Sequence, residues 1–443
     1  MYSLGLINGL VYRNGSLTHE NIYIEGERIK KITSNKEKHN CSEEINCEGK
    51  IILPGFIDPH VHLNLNLGEF ISADNYESGS IAASFGGVTT FIDFLEPISF
   101  VCEFKKKFDQ KIEESKLSHI DFSFHTTVGN YKDKVDELAK ISLKHGIPSI
   151  KLFTTYSESD RKISDEKLKE LLQLSKVENL LILIHAENDN IILNSKKYEI
   201  LSQYESSRPI DAELKEVEKL STLIKETEGR TYIVHLTTGT ALEFMKENCN
   251  DLLGKNLFLE SCPQYFWLTR EVYKKDDGRL FLLAPPLRSK EEQEKLRKNI
   301  DLIHAIGTDH CPFTKKEKYR YSEVSKVPKG IGGIEYSFSL MYNLFGTSII
   351  DKFTINPAKI HGFYPQKGVI QEGSDADLVI FDPNRELTID AGHSKSDYSP
   401  YEGIKVRGIV ESTIQRGQFL VKEREFVGKN VRGNYLKRKH YNF

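Results

Sequence analysis

From Leu53 onward the chain alternates short apolar runs with stretches of helical period, a rhythm that few folds can accommodate. Eight apolar runs can be counted, at 55–63, 88–94, 121–128, 149–156, 180–186, 231–236, 256–261 and 303–308. Between them, residues 133–145 and 165–177 place apolar side chains three and four apart, with Lys and Glu in the gaps. Ser289-Lys-Glu-Glu292 has the spacing of a capping box and opens a predicted helix over 291–299. Strand then helix, repeated, builds a parallel sheet, and eight such units close most simply into a (β/α)8 TIM-like barrel.

The two ends of the chain follow another pattern. Residues 4–12, 22–24 and 29–32 are short β-rich runs separated by Asn-Gly and Gly-Glu turns. Residues 373–382, 408–416 and 418–422 resume that pattern after Phe363. Neither end is large enough to bury a core alone, so the two are expected to pair. The expected organisation is an N-terminal part of a β-sandwich (1–53), the barrel (54–363), and the rest of the sandwich plus a tail (364–443). The basic stretch Lys437-Arg-Lys-His440 reads as a solvated end.

Charge and composition exclude several classes. Lys and Arg number 61 against 64 Asp and Glu, a net charge of -3, so no bulk positive field draws nucleic acid or an anionic membrane. No apolar run is long enough for a membrane helix, and the first residues lack the charged and apolar regions of a signal peptide. The six cysteines form no Cys-x-x-Cys pair and read as reduced thiols of a cytoplasmic protein.

The chemistry gathers at the ends of the apolar runs. His60 and His62 are two apart on a predicted strand, so both side chains take the same face. At the C-terminal end of a barrel strand, that face looks into the mouth. Lys151 alternates with Ile150 and Leu152 and takes an inward position, where a cation is costly and burial favours the neutral amine. Taken alone, Lys151 reads better as a lysine paired with a barrel carboxylate. His185 and His235 each follow aliphatic residues and precede a polar turn, and Asp309 follows Ala-Ile-Gly-Thr. Singly, each could be a core histidine or a turn aspartate. Five strand ends carrying metal-ligand types in chain order favour one metal site.

At these residues the chain resembles the cyclic amidohydrolases of the dihydropyrimidinase and D-hydantoinase family. The likeness is carried by Leu53-Pro-Gly-Phe-Ile-Asp-Pro-His-Val-His62, Gly86-Gly-Val-Thr-Thr-Phe-Ile-Asp93, Cys262-Pro-Gln-Tyr265, Pro285-Pro-Leu-Arg288, Asn356-Pro-Ala-Lys359, Gly373-Ser-Asp-Ala-Asp377 and Asp397-Tyr-Ser-Pro-Tyr-Glu-Gly403. It implies two divalent metal ions, zinc foremost, with manganese, cobalt or iron tolerated by the same ligands. One ion would be held by His60, His62, N6-carboxylated Lys151 and Asp309, the other by Lys151, His185 and His235. Tyr156 would polarise the substrate carbonyl, Asp309 would shuttle the proton, and backbone groups of Ala284 and Gly332 would grip the ring.

The chain departs from the family in having Ala284 for serine and Gly332 for asparagine, which puts side-chain roles there in question. The implied reaction opens dihydropyrimidines or 5-substituted hydantoins to N-carbamoyl amino acids. A homotetramer or homodimer in the cytoplasm is implied too, with a small cyclic amide as the only other partner and no further cofactor. Asn64 stands where dihydroorotases carry an arginine for their substrate carboxylate, and Leu65-Asn-Leu67 resembles an apolar gating loop. Allantoinase-like and dihydroorotase-like hydrolases, and a non-catalytic interaction protein of the same fold, are the alternatives.

Overall fold

The computed structural model describes residues 1–195 and 197–439, so His440 of the basic tail lies outside the described residues. Two sheets organise the chain. The first takes β1 (Tyr2–Arg13), β2 (Ser16–Glu25), β3 (Arg28–Ser34), β4 (Cys41–Asn46) and β5 (Ile51–Pro54) from the N-terminal end. It then passes β6 (Phe56–Val61), β7 (Val88–Phe94), β8 (Asp121–Thr127) and β9 (Ser149–Phe153), which belong to the second sheet with β10 (Leu181–His185), β11 (Thr231–Ile233), β12 (Leu257–Ser261) and β13 (Ala305–Ile306). The C-terminal end returns β14 (Leu378–Thr388), β15 (Lys405–Gln415), β16 (Gln418–Lys422) and β17 (Glu425–Phe426) to the first.

The end sheet runs β17-β16-β15-β14-β5-β1-β2-β3, with β4 also on β1. The ends do pair, through antiparallel β5 and β14 with Leu378 opposite Pro54 and Phe381 opposite Ile51.

The second sheet is the expected barrel, eight strands in chain order from β6 to β13. All its ladders are parallel, and every residue of β7 and β8 is buried. Both faces are covered, which is why these strands read as continuous apolar runs. The barrel closes through a bridge between Val61 and His310, and through the Asp58 carboxylate, which accepts from the Thr308 N–H at 3.1 Å and its hydroxyl at 2.6 Å. Burial pushes the Asp58 carboxyl up to about 6.

Three local expectations need correcting or refining. The last strand is only Ala305–Ile306, not 303–308, because Gly307 to Asp309 leave the ladder to bring Asp309 inward. Ser289 caps its helix by accepting from the Glu292 N–H at 3.3 Å, but Glu292 does not reach back. Its carboxylate binds the Thr240 N–H at 2.8 Å and hydroxyl at 2.6 Å, tying two neighbouring barrel helices together instead.

The basic tail is not wholly solvated either. Lys437 and Lys439 are exposed, but Arg438 is buried under the barrel floor. It donates to Ser123 Oγ at 2.8 Å, Ser149 Oγ at 2.7 Å and the carbonyls of Phe124 and His361. An arginine whose donors all find oxygen can be buried. Burial lowers its pKa to about 9.

The barrel floor also meets the end sheet through ions. Lys367 Nζ sits 2.8 Å from Asp121, 3.0 Å from Asp375 and 2.5 Å from Asp377. Arg416 pairs with Asp121, and Arg28 with Asp375 at 2.5 Å.

Candidate metal centre

Every residue singled out as a ligand lies at the C-terminal mouth of the barrel, lining one cavity of about 1020 Å³. His60 is in β6 and His62 directly follows it, Lys151 is in β9, and His185 ends β10. His235 follows β11 and Asp309 follows β13, on the loops where barrels keep their chemistry. Imidazole nitrogens face one another in pairs. His60 Nε2 is 3.2 Å from His62 Nε2, and His185 Nδ1 is 3.0 Å from His235 Nε2. Asp309 Oδ1 lies 3.2 Å from His60 Nε2 and 3.1 Å from His62 Nε2, so one atom from each of these three residues falls in one small cluster.

The outer faces of two rings are fixed by buried carboxylates. His60 Nδ1 meets Glu260 Oε1 at 2.7 Å, and His185 Nε2 meets Glu187 Oε2 at 2.6 Å. Such pairs set the tautomer and aim the other nitrogen, here His60 Nε2 and His185 Nδ1, into the mouth. Glu187 is held in turn by Arg208, whose Nε lies 3.1 Å from it. The Arg208 guanidinium then covers the Tyr156 ring, 4.9 Å from its centroid.

Lys151 Nζ is buried and, among the described residues, has no hydrogen-bond partner. Its surroundings are Phe94 and Phe153, 5.7 Å and 5.3 Å to the ring centroids. Burial lowers its pKa to about 7. Burial likewise lowers His62, brings His185 to about 4 and holds His235 well below its usual value. His60 runs the other way: burial opposes its charge, but Glu260 and Asp309 raise it to about 9. Burial alone would raise Asp309, yet His60 and His62 hold it well below the ordinary carboxylate range. Burial pushes the Tyr156 phenol up to about 12.

Three of these side chains hang on strained backbone. Tyr156 (φ 69°), His235 (φ 39°) and Asp309 (φ 51°) are all in the left-handed region without being glycine. Each costs of order 1 kcal/mol or more and persists only where neighbours over-determine it. His235, for example, is held by its N–H donating to Glu260 Oε1 at 3.0 Å.

Four imidazoles, a carboxylate and an amine whose pKa burial brings to about 7 converge in a buried cluster, a donor set for divalent transition ions. His62 Nδ1 and His235 Nδ1 are buried without a hydrogen-bond partner among the described residues, and the facing nitrogens at 3.0–3.2 Å can be bridged by a proton or by such an ion.

Two expected substrate contacts part company. Ala284 lines the cavity, as do Leu65 and Leu67 of the apolar loop. Gly332 is not among the lining residues of that cavity. It sits behind His310 in a small neighbouring pocket, where an added Cβ would lie 3.6 Å from the ring. His310 holds this turn by accepting the Gly333 N–H at 3.1 Å and by binding Asp74 at 2.9 Å.

Glu260, Glu187, Arg208 and Asp58 were not anticipated. Glu260 carried a signal: an acid inside the apolar run Leu257–Ser261 poses the same burial problem as Lys151. Glu187, two residues after His185, shared the spacing that singled out His60 and His62. Arg208 lies in a loop with no periodic cue.

The amidohydrolase family profile matches residues 51–420. The D-phenylhydantoinase of Escherichia coli O1:K1 is 30% identical, over 98% of either chain. The D-hydantoinase of Bacillus sp. AR9 superposes with a TM-score of 0.93 at 30% identity, covering 99% of this chain and 100% of that one. The dihydropyrimidinase of Brevibacillus agri NCHU1002 gives 0.91 at 30% identity, covering 100% and 99%. The chain therefore belongs to the amidohydrolase family. Within that family it falls in the hydantoinase and dihydropyrimidinase group, as a hydrolase of cyclic amides.

Proposed function

We propose that the chain is a two-metal hydrolase that opens the ring of dihydropyrimidines or 5-substituted hydantoins to N-carbamoyl amino acids. The observation that carries the reading is Lys151: an amine buried among four histidines and an aspartate, with no hydrogen-bond partner among the described residues. At a pKa near 7 a substantial fraction is neutral. A neutral amine adds to CO2, forming an N–C bond and releasing a proton, and the resulting carbamate offers two oxygens. One metal would be held by His60, His62, Lys151 and Asp309, and the other by Lys151, His185 and His235. Zinc is the first choice for both. When bound, the ion pair supplies Lewis acidity and a water acidified toward neutral pH.

The chain's own groups do the rest. Tyr156 stays protonated at neutral pH and donates to the oxyanion that develops on the ring carbonyl. Asp309 stays ionised, accepts the water's proton and passes it to the departing ring nitrogen. The amide C–N bond breaks and a carboxylate forms. The Ala284 backbone, on the cavity wall, is assigned to gripping the ring, whereas Gly332, behind His310 and off that wall, is not. A cytoplasmic homotetramer or homodimer completes the reading, and no helix among the described residues is long and apolar enough to cross a membrane.

The test is hydrolysis of dihydrouracil, followed by loss of ultraviolet absorbance, with metal-supplemented protein and Asp309→Ala beside it. Turnover by the wild type and its loss in the variant are expected. Full turnover by Asp309→Ala would sink the assigned proton shuttle.

A further inference from the structure

The cavity is larger than a bare five- or six-membered ring needs, since volumes of this order accept drug-sized ligands. What lines the remainder therefore bears on the ring substituent. Much of it is apolar, including Leu65, Phe94 and Phe153. Besides Lys151, five cations stand on that wall: Lys197 and Lys326 are exposed, and Arg161, Arg208 and Lys329 are half-buried. Arg208 has its counter-ion, Glu187, at Nε and at the guanidinium end. Lys329 has none: it donates to the Ser325 carbonyl at 2.5 Å, and among the described residues it makes no ion pair. It is half-buried, on the same cavity as the metal ligands. Burial first, and the Arg208 charge second, lower its pKa to about 8.

The acids on the cavity wall do not answer this charge. Asp309 is engaged by His60 and His62, and Glu69 accepts from the Tyr321 hydroxyl at 2.7 Å. Glu158 and Glu199 are exposed. An ammonium with free N–H groups in a half-dry cleft lacks the anion that would offset its desolvation.

We propose that Lys329 selects cyclic amides whose ring substituent ends in a carboxylate, the ammonium donating to that carboxylate while the ring lies at the metal centre. This rests on the ring-opening reading and names its substrate class. The product is an N-carbamoyl amino acid with a second, side-chain carboxylate. The position differs from the Asn64 loop, which offers no cation.

The experiment compares kcat/KM for 5-(2-carboxyethyl)hydantoin with that for its methyl ester, alongside 5-phenylhydantoin and dihydrouracil, on the metal-loaded enzyme. The acid is expected to exceed its ester by at least tenfold, mainly through KM. Lys329→Met should bring the ratio to near one, and Lys329→Arg should restore most of it. Neutral rings turned over with an acid-to-ester ratio near one, or a ratio unmoved in Lys329→Met, would overturn this inference alone. No turnover of any of the four rings would overturn the ring-opening reading and this inference with it.

Discussion

Two buried lysines sit at opposite ends of the same barrel, and their surroundings differ in kind. Lys367 at the floor has three carboxylates within 3.0 Å, which outweigh burial and raise its pKa. Lys367, Arg416 and Arg28 balance Asp121, Asp375 and Asp377 charge for charge. Lys151 at the mouth has no hydrogen-bond partner among the described residues, and burial lowers it to about 7. The floor satisfies itself and the mouth does not. Three buried carboxylates at the floor would also suit a cation, but Lys367 already occupies their centre. A buried lysine therefore marks a ligand site only when its polar demands are left open, which follows from the cost of an unpaired buried charge.

The widest separation between the two regions should come from Lys151→Ala. Activity is expected to fall by about a thousandfold or more, equivalent to at least about 4 kcal/mol of barrier. In the metal-free protein the melting temperature should hold within a few degrees, since among the described residues Lys151 makes no hydrogen bond. Steady-state kinetics on metal-loaded protein and a thermal melt on chelator-treated protein read both. A large drop in melting temperature would erase the contrast.

Lys367→Met makes the converse case. It strands buried carboxylates, so unfolding in urea should lose about 3–5 kcal/mol. The kcat of whatever remains folded should stay close to wild type. A variant that melts normally but loses activity would mean that the floor serves the mouth directly.

The difference between the ends also explains what could be read before the fold was known. His60, His62, Lys151, His185, His235 and Asp309 were legible because each sits at or near the end of an apolar run, and strand alternation tells which side chains turn inward. The helix Asp165–Val177 was legible at both ends through its period, and the structure adds its Ser164 cap. The floor was not. Lys367 and Asp375 lie in loops, and Asp121 meets Arg416 across hundreds of residues, so no local period exposes them. Arg438 was hidden for another reason. The stretch around it is basic, and only tertiary contact decides which of its neighbouring cations goes inside. Tyr156 was placed at a strand end, yet the strand stops at Phe153 and a left-handed turn carries the tyrosine inward.

Arg438→Met tests whether the floor's stability extends to the tail. It removes bonds to Ser123, Ser149 and two carbonyls, and leaves those oxygens buried. A loss of about 2–3 kcal/mol is expected, smaller than at Lys367 because no charge is stranded. Chemical denaturation measures it. An unchanged midpoint would mean that the tail merely rests against the barrel.

Between the extremes lies Lys318, buried, with two carbonyls, those of Leu282 and Pro328, at 2.9 Å each. Carbonyls satisfy its N–H groups but do not neutralise its charge, and burial lowers its pKa to about 7. Its folded value thus lies below the unfolded 10.5. Between those values the unfolded chain binds more protons, so this group makes stability rise with pH, by at most about 1.4 kcal/mol per unit. Urea unfolding at pH 7.5 and 9 should show that slope in the wild type and a shallower one in Lys318→Met. Lys367 contributes no such slope there, because its folded value lies above 10.5 and its stabilisation is fully present below that pH. If Lys318→Met left the slope unchanged while Lys367→Met removed it, the count of carboxylates would not be what divides the buried lysines of this barrel.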